Sequence, residues 1–254
     1  MLRAENIWFR YSGERWILKG LSFEIGYGIH CIVGPNGSGK TTLLRIIIGS
    51  LRPQKGNIYA FGKKIRNIRD SIGLMIYVPS NPTMFLVGPR VRDDLYKIAK
   101  DSSLGVLEVV DVLGICELLD KRIFELSEGQ RHLVAIASAV LSGAKIVILD
   151  EPTVGLDRNY RSRILNLLKQ FAQKRIIVVA TNDIRFARES DSILILSDGK
   201  IVMHDKPLRT ILSKDFMFVS QIREFAQKMS GLGLINNSDM DIRHLIEILR
   251  RIVC

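Results

Sequence analysis

The sequence predicts an α/β fold: a mostly parallel sheet covered on both faces, with antiparallel strands before it and a helical segment inserted. Three observations carry this. The runs "IHCIV" (29–33), "KIVILD" (145–150) and "RIIVVAT" (175–181) are apolar nearly throughout, as strands buried on both faces are. Helical patterns alternate with such runs, beginning with "TTLLRIIIGSL" (41–51). Residues 91–141 lose the strand signal and read as mostly helical, broken near Gly105 and Gly114.

The elements follow in order. Residues 2–26 alternate in polarity around a turn signal at Ser12–Gly13, predicting antiparallel strands. "IHCIV" runs into Gly34 and then the first helix. "GNIYAFG" (56–62) is a strand between glycines, and "SILILSDGKIV" (192–202) is a hairpin turning on Asp198–Gly199. The longest apolar stretch, Leu133 to Leu149, is broken by Ser138, Ser142, Gly143 and Lys145. It reads as helix, turn and buried strand rather than a membrane span. Residues 1–205 thus form one domain, with a helical subdomain at about 83–141. Residues 206–254 form a small C-terminal helical extension, in which Ser238 and Asp241 could cap a helix carrying Ile242, Leu245, Ile246, Leu249 and Ile252.

A chain of 254 residues at 47% hydrophobic has enough apolar side chains for such a core. Its net charge of +11 raises nucleic acid or an anionic membrane as partners. The basic residues are scattered, however, with small clusters at Lys63, Lys64, Arg66 and Arg69 and at Arg250–Arg251, and no basic tail. Cys31, Cys116 and Cys254 are widely spaced without a ligand pattern, which suits a reducing cytosol. The opening residues carry no secretory apolar core, so a soluble protein is expected.

Three motifs carry chemistry. "GPNGSGKT" (34–41) fits G-x-x-x-x-G-K-[ST] between a strand and a helix. Its glycines let backbone N–H groups curl round a phosphate at the helix N-terminus. Lys40 can reach β- and γ-phosphates and the Thr41 hydroxyl can ligate Mg²⁺. "IVILDEPT" (146–153) ends a buried strand in two carboxylates, which is costly unless a cation or a positioned water meets them. Asp150 would hold Mg²⁺ through water and Glu151 would polarise the attacking water. "LSEGQ" (126–130) heads a helix with capping-box spacing between Ser127 and Gln130. A cap does not need Gly129, which lets a backbone come close and the helix N-terminus meet an anion.

Together these residues resemble the ATP-binding cassette (ABC) family, with its P-loop NTPase fold, over roughly residues 2–205. The phosphate loop (Gly34, Asn36, Gly37, Ser38, Gly39, Lys40, with Thr41 and Thr42) looks like Walker A and "IVILDEP" like Walker B. "LSEGQ" looks like the signature, with Glu128 at its usually variable position, and "VGLD" (154–157) looks like the D-loop. The resemblance implies that Tyr11 stacks on adenine, that Asp157 faces a dimer partner, and that ATP and Mg²⁺ are the cofactors. It implies two cassettes sandwiching two ATP molecules, each held between one chain's Walker motifs and the other's Ser127, Gly129 and Gln130. The tail "GLGLINNSDMDIRHLIEILRR" loosely resembles that of cobalt and energy-coupling-factor importer ATPases; a plain amphipathic docking helix is the other reading.

Two positions depart from the family. The register matching "SNP" to the family's "QNP", supported by "VRDDL" (91–95), puts Ser80 at the glutamine; another register would put Tyr77 there. "ATND" falls at the switch histidine, putting Asn182 where a γ-phosphate contact is expected. Asn182 can donate a hydrogen bond but cannot carry charge or a proton; the bland alternative is an Asn capping a turn. The expectation is an ATPase motor, with a slowed site of its own, on the cytoplasmic face of a membrane. Its partners would be a transmembrane subunit and a second cassette, with no nucleic acid. The alternative is a non-transporting cassette acting on nucleic acid or a soluble assembly.

Overall fold

The computed structural model describes residues 1–13, 15–99 and 105–207. Two sheets form. The antiparallel one contains β1 (Leu2–Phe9), β2 (Leu18–Ile25), β4 (Lys55–Ala60) and β5 (Lys63–Ile65) in the order β2-β1-β4-β5. The larger contains β3 (Gly28–Val33), β6 (Met75–Val78), β7 (Ile146–Asp150), β8 (Ile176–Ala180), β9 (Ser192–Ser197) and β10 (Lys200–Asp205). Its order is β10-β9-β3-β8-β7-β6, parallel except for the edge strand β10.

The core explains why β3, β7 and β8 are apolar at nearly every position. The helix α1 (Lys40–Ile47) lies between the sheets. Its Leu43, Leu44, Ile46 and Ile47 join Leu2, Ile7 and Leu18 of one sheet and Ile32, Ile148 and Val178 of the other in one buried cluster. The intervening Val147, Leu149, Ile177 and Val179 are buried as well. Against the parallel strands pack α5 (Glu128–Leu141) and α6 (Arg158–Ala172). Burying a Leu or Ile in such a place contributes about 1.5–3 kcal/mol. The helix behind the phosphate loop is therefore anchored from two sides.

Between β6 and β7 lie α3 (Val91–Ile98), α4 (Val106–Leu113) and α5, joined by 3₁₀ turns at Cys116–Leu118 and Ile123–Glu125. Gly114 ends α4 in the left-handed region at φ 64°, the glycine break expected there. The short α2 (Ile68–Ser71) and α7 (Ile184–Ala187) complete the set. Asp198 and Gly199 turn the β9–β10 hairpin with φ of 48° and 75°, the positive pair such a two-residue turn needs. The apolar stretch from Leu133 resolves into the end of α5, a turn at Gly143 and β7; no described helix is long and apolar enough to cross a membrane. Residues 206–207 are described, but the expected tail helix lies outside the described residues.

Candidate functional site

The phosphate loop, Ser80, Glu151 and Asn182 all follow the carboxyl ends of adjacent parallel strands, β3, β6, β7 and β8 respectively. Ile32, Asp150 and Ala180 lie at one level of the sheet, because Ala180 pairs with both of the others. Strand order thus brings together residues as far apart in sequence as Asn36 and Asn182.

The loop packs tightly against neighbouring strands. A Cβ on Gly34 would sit 2.0 Å from the Leu196 carbonyl oxygen, and one on Gly39 would sit 2.8 Å from Leu18 Cδ2. Gly37 and Gly39 have φ of 80° and 104°, which favour glycine. Gly39 is also the N-cap of α1 and has no side chain to offer, so the first-turn N–H groups are left for a ligand. Lys40 is not the exposed side chain an open loop suggests. It is buried, because the loop's curl turns it back on its own carbonyls. Its Nζ donates to Gly34 O at 2.7 Å and Asn182 Oδ1 at 3.0 Å, and lies 3.8 Å from Glu151 Oε1. Burial lowers its pKa, opposed by the charges of Glu151 and Asp150.

Next to it, Thr41 Oγ1 donates to Asp150 Oδ1 at 3.2 Å and the Tyr77 hydroxyl donates to Asp150 Oδ2 at 3.1 Å. Asp150 is only 1% exposed, so both oxygens are fixed. Tyr77, which the other register put at the glutamine position, is thus a partner of Asp150, a contact that motif reading did not foresee. Burial, then the Asp150 charge, pushes its phenol up to about 12, so it stays a donor. A tyrosine inside an apolar strand, needing a partner for its hydroxyl, was the available signal. Ser80 is exposed and makes no side-chain hydrogen bond among the described residues.

Glu151 follows Asp150 with φ 49°, a left-handed backbone that costs a non-glycine residue about 1–3 kcal/mol. Its N–H donates to Ala180 O at 2.8 Å, and the turn aims its carboxylate at Lys40 and β8. Burial raises the Glu151 pKa, partly offset by the Asn182 N–H, 3.2 Å from Oε2, and by Lys40. A carboxylate so placed can accept a proton from water.

Asn182 connects the loop to β8. Lysine only donates, so the Asn182 oxygen faces Lys40, and its Nδ2 donates to Asn36 Oδ1 at 2.7 Å. The turn-capping alternative belongs to its neighbour instead: Asp183 accepts from the N–H groups of Arg185 and Phe186.

The other motifs are satisfied locally. Ser127 Oγ accepts from Gln130 N at 3.2 Å while Ser127 N donates to Gln130 Oε1 at 3.0 Å, the expected capping box. The close approach at Gly129 is made by the D-loop: a Cβ there would lie 2.9 Å from Leu156 Cδ2 and 3.6 Å from Gly155 O. Asp157 caps α6, accepting from Tyr160 N at 2.9 Å, and is itself exposed. Tyr11 is partly exposed and stands edge-on to Phe9, ring centroids 5.0 Å apart.

The Walker residues fit a nucleotide triphosphate with a hard cation. Ser38 Oγ is buried without a hydrogen-bond partner among the described residues. Lys40 is desolvated, and Thr42 is buried behind it. The oxygens of Thr41 and Asp150 are of the type Mg²⁺ takes.

The sequence profile of the ABC transporter family matches residues 18–154. The energy-coupling factor transporter ATP-binding protein EcfA1 of Ureaplasma parvum is 31% identical, covering 97% of this chain and 90% of that protein. A putative ABC transporter ATP-binding protein of Pyrococcus furiosus is 30% identical, covering 99% of each chain. Among solved structures, CbiO1 of Clostridium perfringens, part of the ABC transporter complex CbiONQ, matches with a TM-score of 0.73 at 28% identity, covering 91% of this chain and 96% of that one. The chain belongs to the ABC transporter family, as one of its ATP-hydrolysing cassettes.

Proposed function

We propose that this cassette is the motor subunit of a membrane transporter of the energy-coupling-factor type, working in a nucleotide-sandwich dimer with unequal sites. It would sit peripherally on the cytoplasmic face of the membrane. The observation that carries the motor reading is the convergence of Lys40, Thr41, Asp150 and Glu151 at neighbouring strand ends. The end-to-end similarity to energy-coupling factor ATP-binding proteins supports the transporter.

Each residue has a part. The loop N–H groups and Lys40 bind the β- and γ-phosphates, Tyr11 stacks on adenine, and Thr41 and Asp150 hold Mg²⁺. When bound, Mg²⁺ neutralises charge developing on the phosphate oxygens. Glu151 orients and polarises the water, its pKa raised toward that of a working base. The signature, with Ser127, Gly129, Gln130 and Asp157, serves the partner's site across the dimer.

The chain's own site is slow in this reading. Asn182 offers an amide group with one of its two N–H donors spent on Asn36, and no positive charge. Ser80 is too short for the contacts of a glutamine. Losing one charge-assisted hydrogen bond costs about 1.5–3 kcal/mol, roughly ten- to a hundredfold in rate if felt only in the transition state. The partner's site, completed by this intact signature, carries normal turnover, so a heterodimer serves the chain best.

The net charge of +11 favours one other reading, a cassette acting on nucleic acid. Purification from membranes separates them. A co-purifying polytopic membrane protein is expected; salt-sensitive retention of DNA or RNA with no membrane partner would reverse the assignment.

A further inference from the structure

Past the end of β1 the chain alternates. Phe9 points into the core and Tyr11 stands against it, whereas Trp8 and Arg10 lie on the outer face of the antiparallel sheet. That outer face is aromatic and cationic. The Arg10 guanidinium sits 4.9 Å from the centroid of the Trp16 ring, and Trp16 meets Trp8 edge-on at 5.3 Å. Lys55 Nζ lies 5.9 Å from the centroid of the Trp8 ring, and Trp8 Nε1 donates to Asn6 Oδ1 at 2.9 Å. Gly20, at φ 72°, makes room for this ring: a Cβ there would be 3.0 Å from Trp8 Nε1.

The backbone beneath is held as closely. Gln54 N donates to Trp8 O at 2.9 Å, while the Gln54 side chain accepts from Arg10 N at 3.1 Å and donates to Arg10 O at 2.8 Å. A side-chain amide thus extends the ladder to a level where β4 has not yet begun. Ile17 N donates to Phe9 O at 2.8 Å, which sets Trp16 beside Arg10. The same strand leads on to the phosphate loop. A Cβ on Gly39 would strike Leu18 Cδ2 at 2.8 Å and Ile17 Cγ2 at 3.1 Å. The chain on both sides of the turn at Ser12–Gly13 is therefore fixed, to itself and to the phosphate loop.

We propose that Arg10, Trp16 and Gln54 are positioning residues for the base: from the outer face they hold Tyr11 in place relative to the phosphate loop, and so raise ATP affinity without touching the nucleotide. The proposal rests on the reading of Tyr11 as the adenine platform. Tyr11 is 37% exposed, and its one aromatic neighbour among the described residues is Phe9, so its own contacts do little to fix it. Ordering a loose platform during binding subtracts from affinity, and a preformed one avoids that cost. An arginine over a tryptophan face is a favourable clasp for the purpose. The outer rings already meet each other and their cations, which suits a clamp better than a landing surface for another molecule.

Calorimetric titration of the full chain tests this with two probes, MgATP and magnesium tripolyphosphate, which carries phosphates and no base. Trp16→Ala and Gln54→Ala should each raise the ATP dissociation constant about five- to tenfold, the scale of one aromatic or cation–π contact. Tripolyphosphate binding should stay unchanged in both. Trp16→Phe keeps a ring under Arg10 and should restore most of the affinity. In a Tyr11→Ala background Trp16→Ala should have no further effect, because no platform is left to position. Loss of tripolyphosphate binding in step with ATP would make the cluster merely structural and overturn the proposal, as would full additivity with Tyr11→Ala. If Tyr11→Ala weakens ATP binding while Trp16→Ala and Gln54→Ala do nothing, the clamp fails and the adenine platform stands. If Tyr11→Ala itself leaves ATP affinity unchanged, the adenine reading falls and the proposal falls with it.

Discussion

Around Lys40, side chains from the phosphate loop, β7 and β8 hold one another: Asn36, Asn182, Glu151, Thr41 and Asp150, with Tyr77 from β6 behind them. Around Ser127, a helix cap closes on itself, and Ser127 and Glu128 face solvent. The first region is wired within one chain, so a change there is felt by this chain's own nucleotide site. The second is complete as a surface and, in the proposed dimer, contributes when another chain is set against it. Asn182, one of the two departures from the family, lies in the first region; Ser80, the other, follows the neighbouring strand β6 but makes no side-chain hydrogen bond among the described residues. This is the physical ground on which unequal sites are proposed.

The largest expected effect comes from removing the hub. Lys40→Ala should abolish productive ATP binding, measured with a fluorescent nucleotide, while circular dichroism stays native. The freed groups, Gly34 O and Asn182, lie at the loop rather than in the apolar core. Unchanged Mg-ATP affinity would remove Lys40 from the site. Next, Glu151→Gln should keep ATP binding but slow hydrolysis and trap an ATP-bound dimer, visible by gel filtration. Unchanged turnover, in a complex where this site is shown to hydrolyse, would mean that another group activates the water.

A smaller effect tests the contact that motif reading did not foresee, Tyr77 to Asp150. Tyr77→Phe removes a hydrogen bond to an ionised carboxylate, worth about 1.5–3 kcal/mol where it is fully felt. Asp150 should then be less well aimed, and the Mg²⁺ concentration for half-maximal nucleotide binding should rise about five- to tenfold. If that concentration does not move, Tyr77 only packs.

The smallest effect lies near the signature. His132, on α5, is fully buried and neither ring nitrogen has a hydrogen-bond partner among the described residues. Burial holds the imidazoles of His132 and His30 below their ordinary 6.5. The folded chain therefore binds fewer protons than the unfolded chain as pH falls through about 6.5. Above that pH these groups cost nothing; below it, stability should fall by up to about 1.4 kcal/mol per pH unit for each histidine. Urea midpoints at pH 7.5 and 5.5 measure this. His132→Leu should flatten the slope while leaving nucleotide binding by the Walker region intact.

What the sequence made legible tracks how local each determinant is. The strands β3, β7 and β8 were readable because burial on both faces forces an unbroken apolar run. The Asp198–Gly199 turn was readable because its backbone demands those residues. By contrast, α6 is polar on most of its surface and shows only a stripe of Ile164, Leu167, Leu168 and Phe171. The burial of Lys40 depends on how the loop curls back, and Gly129 answers to Leu156 of the D-loop. Both are contacts between segments, with no local signal. For Asn182 a turn-capping role was open, and only the structure assigns that cap to Asp183 while turning Asn182 toward Lys40 and Asn36.

The measurement that bears most directly on unequal sites is the ATPase rate of the isolated chain beside that of the Ser80→Gln, Asn182→His double variant. A homodimer of the wild-type chain holds two weakened sites, so its turnover should be low. Restoring both groups should raise kcat about tenfold or more, with little change in nucleotide affinity. Brisk turnover by the wild-type homodimer, indifferent to the double substitution, would contradict the account and show Asn182 to be an adequate replacement for the histidine.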